Sequence, residues 1–513
     1  MRISRPSSDD LLRELRQTPD GSLDFVVLTS GALGSELTPC LNESIRALRY
    51  GGLLFLQGRP ETLPEIGVYL DGRLTFKYWI AVESTPQPGR ALPSVHGAIL
   101  LFCKGTKFDI NKTRLPHRYC SFCGRTLRDW GGKTHLMHPE GSAISDVWTD
   151  MHAMDTIMRM LDPDHIGVIG PSGAQETVAQ TFVQLSLFPD NHKEKETESD
   201  MINIVHCGDA IQTLRRYPDN CIDLAFADPP YNLKKLYTAC NDAWDEPRYI
   251  AWCNEWLAEY VRILKPTGSL YVLNLPRWAM HHAAFLNERL HFQNWIVWDA
   301  LSEPMGKLMP AHYALLFYTK HPTDFTFNYD RVAELDSREY CLRASCIRKR
   351  KSSGADNKEP LTDIWSDIHR IRHPRDRDYH PCQLPDALME RIITLSSSEG
   401  DIVLDALSGT GTTAVTAARL GRRYVAIDID ESYVALTREK IAEVQHSGYV
   451  QRTSTRKLKR EFSKKELQLE LRDLALRLGR LPTPADVRDP EVFLTVFPNW
   501  GKALKAAKLE VQA

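Results

Sequence analysis

The segments Ile402-Val403-Leu404-Asp405, Ser408-Gly409-Thr410-Gly411-Thr412-Thr413, Ala414-Val415-Thr416-Ala417-Ala418-Arg419-Leu420-Gly421 and Tyr424-Val425-Ala426-Ile427-Asp428 decide the fold of this 513-residue chain. The first apolar run reads as a buried strand, the glycines as a tight turn, the small residues as a helix closed by Gly421, and the second apolar run as the next strand. That order is one repeat of a parallel α/β sheet. A glycine turn alone also serves any tight strand-to-helix loop. The acid at the tip of the following strand adds a ligand: glycines let backbone N–H groups approach it, and the carboxylate accepts its hydroxyls. The segment reads as the nucleoside-binding half of a Rossmann-like sheet.

Upstream, the apolar run 221–227 ends in Asp228-Pro229-Pro230-Tyr231. Such a strand end presents a carboxylate, two carbonyls with no competing N–H, and a flat ring at the carboxyl edge of the sheet. An exocyclic amine has two donors, one for the carboxylate and one for a prolyl carbonyl, while Tyr231 stacks on the base. The same tetrapeptide is also an ordinary strand-end turn. Asp209, after the strand Ile202-Asn203-Ile204-Val205-His206, suits either a helix cap or a ligand contact at that edge.

Four matches in the same order point to a duplication. Asp24-Phe25-Val26-Val27-Leu28 parallels Asp223-Leu224-Ala225-Phe226-Ala227, and Leu48-Arg49-Tyr50-Gly51-Gly52 parallels Leu264-Lys265-Pro266-Thr267-Gly268. Ala98-Ile99-Leu100-Leu101-Phe102 parallels Ala314-Leu315-Leu316-Phe317-Tyr318, and Asp146-Val147-Trp148 parallels Asp363-Ile364-Trp365. In the first copy the tetrapeptide becomes Thr29-Ser30-Gly31, and the glycine-turn half is expected to be absent. The expected domains are a degenerate copy at 1–188, a polar linker at 189–200, a catalytic copy at 201–448, and a basic linker with a small helical domain at 449–513.

On these residues the second copy resembles the β-group amino methyltransferases of DNA over about 202–445, with the tetrapeptide first and the glycine turn last. The resemblance implies a duplicated Rossmann-like methyltransferase fold and S-adenosylmethionine as cofactor. It implies that Asp228, Pro229, Pro230 and Tyr231 hold a flipped base. It further implies that Asp405, Ser408, Gly409, Thr410, Gly411 and Thr412 shape the methionine end of the cofactor site, and that Asp428 takes the ribose. Asp209 would lie near the cofactor adenine, and His380 and Gln383 would close over the methionine carboxylate. Ala406-Leu407 departs from the family's Pro-Phe. An aspartate heading the tetrapeptide resembles the adenine-N6 members. The alternatives are cytosine-N4 transfer and a catalytically weak DNA-binding protein retaining the fold.

The formal net charge of -2 requires any nucleic-acid affinity to come from local basic patches, and Arg343 to Lys351 and Arg370 to Arg377 are two such stretches. A charge run is also commonly a solvated loop face. Eleven scattered cysteines suit a reducing compartment, and there is no apolar run of about 18 residues. The expected setting is the prokaryotic cytoplasm near the nucleoid, with duplex DNA and a restriction or defence nuclease as partners and no membrane. Cys120, Cys123, Cys341 and Cys346 suggest one structural zinc site joining the copies into an internal pseudo-dimer. Cys120, Cys123, His135 and His138 are the competing set, and ordinary buried thiols the plain alternative. Near the C-terminus, Gly479-Arg480-Leu481-Pro482-Thr483 and Trp500-Gly501-Lys502-Ala503-Leu504 resemble the helical repeat found beside homing endonucleases.

Overall fold

Four apolar runs pair as parallel strands in the order Ile204–Cys207, Arg423–Asp428, Ile402–Asp405, Ile222–Ala227. They are largely buried, as the unbroken apolar runs require. The helices Ala210–Leu214, Glu246–Ile263, Asp386–Ser396, Thr412–Arg419 and Glu431–Ser447 accompany them. In this computed structural model the described residues are 2–87, 91–127, 135, 137–149, 151–172, 201–233, 244–300, 307–341, 343–371, 383–448, 464–478, 480–487, 490–497 and 499–509. The expected linker at 189–200, His380, the basic residues 372–377 and the basic run 452–460 lie outside them.

Two compact units divide the chain: Met1–Glu196 with Leu264–His369, and Thr197–Ile263 with Arg370–Ala513. They cut across the boundaries drawn from the sequence, because the middle of the second copy packs on the first. In the first unit, Leu48–Gly58 runs antiparallel to Ser94–Cys103, which runs antiparallel to Thr75–Gln87, with Val147–Trp148 parallel at the end. The same order recurs in Leu264–Asn274, His312–Thr319, His291–Asp299 and Ile364–Trp365. The register is shared as well: Leu54 faces Phe102 as Leu270 faces Tyr318, and Trp79 faces Leu100 as Trp295 faces Leu316. The duplication is therefore written in hydrogen bonds.

Equivalent residues of the two copies meet inside this unit. Trp79 and Trp295 stack with ring centroids 3.8 Å apart and planes 3° from parallel. The helices Leu63–Leu70 and Pro276–Asn287 pack together, leaving no room for a side chain at Gly67, where a Cβ would lie 2.1 Å from the Met280 sulfur. Two buried acid–histidine pairs are exchanged: His96 Nδ1 lies 3.2 Å from Asp363 Oδ1, and His312 Nδ1 lies 3.1 Å from Asp146 Oδ2. Each acid also accepts a backbone N–H, Val95 to Asp363 at 2.9 Å and Ala311 to Asp146 at 2.7 Å.

The first copy goes one strand further than the sequence reading expects. Ile166–Ile169 pairs in parallel with Leu23–Thr29, as Ile402–Asp405 does with Ile222–Ala227. Asp24 accepts the Ile166 N–H at 2.7 Å and Asp223 accepts the Ile402 N–H at 2.8 Å, so the strand start is built the same way twice. By that register Gly170-Pro171 stands opposite Ala406-Leu407. Among the described residues, no helix is long and apolar enough to cross a membrane.

Candidate active site

Parallel strands end together, and here the four C-terminal ends carry the sequence-flagged residues to one edge. Phe226 pairs with Asp405, Asp405 with Ala426, and Cys207 with Asp428. Asp228 and Asp209 follow their strands by a residue or two. The edge at the carboxyl ends of such strands is where ligands enter an open α/β sheet.

The tetrapeptide is held from several sides. Pro229 and Tyr231 are buried, Asp228 and Pro230 partly so. The Tyr231 hydroxyl donates to Asp228 Oδ1 at 2.5 Å, and the Tyr249 hydroxyl donates to the Pro230 carbonyl at 2.5 Å. Asn232, in the left-handed region at φ 52°, clamps Trp244 by accepting its N–H at 2.8 Å and donating to its carbonyl at 2.9 Å. Tyr249, Trp252, Trp256 and Tyr260 continue edge to edge or tilted along one face of Glu246–Ile263. Tyr260, wholly buried, donates to the Phe226 carbonyl at 3.1 Å and accepts the Ala406 N–H at 2.8 Å. It thereby ties the tetrapeptide strand to the strand ending in Asp405. A proline at 406 has no N–H to give, so the departure Ala406-Leu407 acquires a physical reason. Sequence reading missed Asn232, Tyr249 and Tyr260, although the aromatic spacing of three and four residues was the available signal.

The glycine turn is equally specific. Gly409 and Gly411 take positive φ of 49° and 78°, and a Cβ on Gly411 would lie 2.3 Å from Thr437. The Gly409 N–H donates to Asp428 Oδ2 at 2.7 Å, while Asp405 accepts Thr413 Oγ1 at 2.6 Å and the Leu407 N–H at 3.1 Å. Thr410 is buried and its carbonyl accepts Lys440 Nζ at 2.9 Å; Thr412 opens the next helix. The buried Ser408 hydroxyl has no hydrogen-bond partner among the described residues.

Burial pushes the Asp405 carboxyl up to about 7 despite its two donors, and raises Asp428 to about 6. An unfolded chain releases both protons near 3.8, so between about pH 4 and 7 the folded protein binds the more protons. Stability of the ligand-free protein is therefore expected to fall as pH rises through that window. Asp405→Asn is expected to flatten the decline, leaving only the Asp428 part. Urea midpoints of both proteins at about pH 5 and pH 8 check this; equal slopes would contradict it.

Asp209 caps Ala210–Leu214, accepting the Gln212 N–H at 2.8 Å, so the capping role is realised. Gln383 is partly buried just ahead of Asp386–Ser396. Of the basic stretch 343–351, Arg350 is wholly buried and paired with Asp356, and Arg343 donates to the Thr126 carbonyl; Arg348, Lys349 and Lys351 are exposed. The four cysteine sulfurs of Cys120, Cys123, Cys341 and Cys346 all lie within 4.8 Å of one another. His135 and His138 are exposed and outside that group. In the C-terminal segment, Leu467, Leu471, Phe493, Phe497, Ala503 and Ala507 form a core of three short helices. Thr483-Pro484-Ala485-Asp486 reads in the sequence as the opening of a helix; Thr483 and Asp486 do make a capping box, but over a single 3-10 turn, and the α-helix starts at Pro490.

Residues 222–439 match the family described as DNA methylase, and residues 462–510 match the homing endonuclease associated repeat. The chain is 36% identical over 241 residues to the type II methyltransferase M.BamHI of Bacillus amyloliquefaciens, covering 45% of this chain and 56% of that one. It is 32% identical over 254 residues to the DNA adenine methyltransferase YhdJ of Escherichia coli (strain K12), covering 47% of this chain and 83% of that one. Among solved structures, the PvuII DNA methyltransferase (cytosine-N4-specific) aligns with a TM-score of 0.35 and 17% identity over 48% of this chain and 91% of that one. Sheet, glycine turn and tetrapeptide define a Rossmann-like methyltransferase fold. The chain belongs to the DNA methylase family that modifies exocyclic N6 or N4 amines.

Proposed function

We propose that this chain transfers a methyl group from S-adenosylmethionine to N6 of adenine in duplex DNA, acting on a base turned out of the helix. The observation that carries this reading is a single sheet edge bearing both Asp228-Pro229-Pro230-Tyr231 and the glycine turn flanked by Asp405 and Asp428. The residues suit the cofactor: the buried Ser408 hydroxyl lacks a partner among the described residues, and Asp428 stands at a strand tip where a ribose is usually held. When bound, S-adenosylmethionine supplies an already activated methyl sulfonium. Gly409 and Gly411 would let the backbone approach it, Asp405 and Thr412 would shape the methionine end, and Gln383, with His380 outside the described residues, would hold the carboxylate.

Asp228 and the Pro229 carbonyl accept the two amine hydrogens, aligning the lone pair with the methyl group, and Tyr231 stacks on the base. Tyr249 fixes the Pro230 carbonyl from behind. Adenine is favoured over cytosine by the aspartate at the first position, and YhdJ, whose name states adenine, supports it. The catalytic copy spans 201–448. The first copy acts as a non-catalytic internal dimer partner, and the helical module at 449–513 binds DNA. Exposed Arg348, Lys349 and Lys351 offer phosphate contacts. The setting is the prokaryotic cytoplasm, alongside a restriction or defence nuclease.

Because the first copy has Thr29-Ser30-Gly31 in place of the tetrapeptide and, counting on from Ile169 opposite Asp405, carries Gln175 in its sequence where the second copy has Gly411, equilibrium dialysis is expected to give one S-adenosylmethionine per full chain. Two per chain would contradict the non-catalytic first copy, and none would contradict the enzyme.

A further inference from the structure

We propose that Cys120, Cys123, Cys341 and Cys346 bind one zinc ion as a tetrathiolate that staples the two copies of the fold together. The claim is separate from the methyl-transfer reading, since all four residues belong to the first compact unit. Cys120 and Cys346 sulfurs are 3.8 Å apart, and Cys123 and Cys341 sulfurs 3.6 Å. A tetrahedron with Zn–S near 2.3 Å has sulfur–sulfur edges of about 3.8 Å. A disulfide would need about 2.05 Å, far inside the separations seen.

Each half of the site is a recognisable ligand carrier. Tyr119 and Thr126 bridge a small antiparallel turn around Cys120-Ser121-Phe122-Cys123-Gly124. Within it the Gly124 N–H donates to the Cys120 carbonyl at 2.9 Å with Gly124 left-handed at φ 66°. The other half places Cys346 in the first turn of the helix Ala344–Ser353, where helix N–H groups favour a negative ligand. The halves are joined directly, the Ser121 N–H donating to the Glu339 carbonyl at 3.1 Å.

Charge supplies the independent observation. Four thiolates around a divalent ion carry a net double negative charge, which a site with Cys120, Cys341 and Cys346 buried and Cys123 at the surface must offset on its buried side. Arg350 is wholly buried and reaches in, its Nη1 lying 3.3 Å from the Cys346 sulfur and 3.1 Å from the Cys341 carbonyl. Its Nε meets Asp356 at 2.9 Å, Asp356 also faces Lys358 at 3.4 Å, and the guanidinium lies over the Tyr340 ring at 4.6 Å. Its Nη2 is buried with no hydrogen-bond partner among the described residues. A neutral thiol is a weak acceptor, so a buried guanidinium aimed at one matches a thiolate set better.

The ligands lie more than two hundred positions apart, Cys120 and Cys346 being separated by 226. One ion would therefore close a loop running through both copies and couple the fold of the first unit to metal. The test uses the full chain purified without chelator, with zinc by mass spectrometry and cobalt(II) as spectroscopic probe. One zinc per chain is expected, retained in a His135→Ala/His138→Ala protein and lost in Cys123→Ser and in Cys341→Ser. Because a cysteine variant can misfold, the cobalt-loaded wild type decides separately: tetrahedral d–d bands with strong thiolate charge transfer support four sulfurs. The proposal is overturned by wild-type protein without near-stoichiometric metal, by metal lost with the two histidines but kept in Cys341→Ser, or by Cys120–Cys346 and Cys123–Cys341 disulfides in the native protein.

Discussion

Asp228→Ala is expected to slow methyl transfer by roughly 100- to 1,000-fold, the usual scale for losing one preorganised group at the reacting centre. Cofactor binding should survive, because Asp405, the glycine turn and Asp428 are held by their own hydrogen bonds. The substitution also takes away the acceptor of the Tyr231 hydroxyl. Asp228→Asn, which can still accept from Tyr231, is therefore the companion variant, and a melting curve for each excludes unfolding. Single-turnover rates with saturating cofactor measure the effect. An Asp228→Ala protein transferring at the wild-type rate would remove the tetrapeptide from the chemistry.

Asp363→Ala and Asp146→Ala are expected to be the most damaging changes to stability, each costing roughly 2–5 kcal/mol. Each acid is buried, lies beside a histidine of the other copy, and accepts a backbone N–H that would be left without an acceptor. The two losses should be similar, because the two environments repeat one another. Asp209→Ala, which removes only an exposed cap, should cost about 1 kcal/mol. Urea unfolding compares the three. A large loss at Asp363 with almost none at Asp146 would contradict the equivalence of the copies.

The parts of the fold legible in the sequence were those written locally. The strand, glycine turn, helix and acid of 402–428 show their period and their punctuation within thirty residues, and the structure has them as Ile402–Asp405, Thr412–Arg419 and Arg423–Asp428. The repeat was legible because Asp146-Val147-Trp148 and Asp363-Ile364-Trp365 carry the same order of types. What that order serves was not: each acid reaches a histidine of the other copy, and no local pattern encodes a partner across the duplication. The strand Ile166–Ile169 escaped because four residues between loops give too little alternation to recognise. Basic residues in 343–351 read uniformly as a charge run, yet Arg350 points inward at a helix position facing Cys341 and Cys346. Ala406 read as a departure of unknown meaning until the Tyr260 hydroxyl was seen to take its N–H.

The most direct measurement of the central claim is nucleoside analysis after the full chain has acted on mixed-sequence duplex DNA with methyl-labelled S-adenosylmethionine. Label in N6-methyladenine, appearing roughly 100- to 1,000-fold more slowly when Asp228→Ala replaces the wild type, is the predicted result. Label in N4-methylcytosine would contradict the choice of base, and no labelled nucleoside at all would contradict methyl transfer itself.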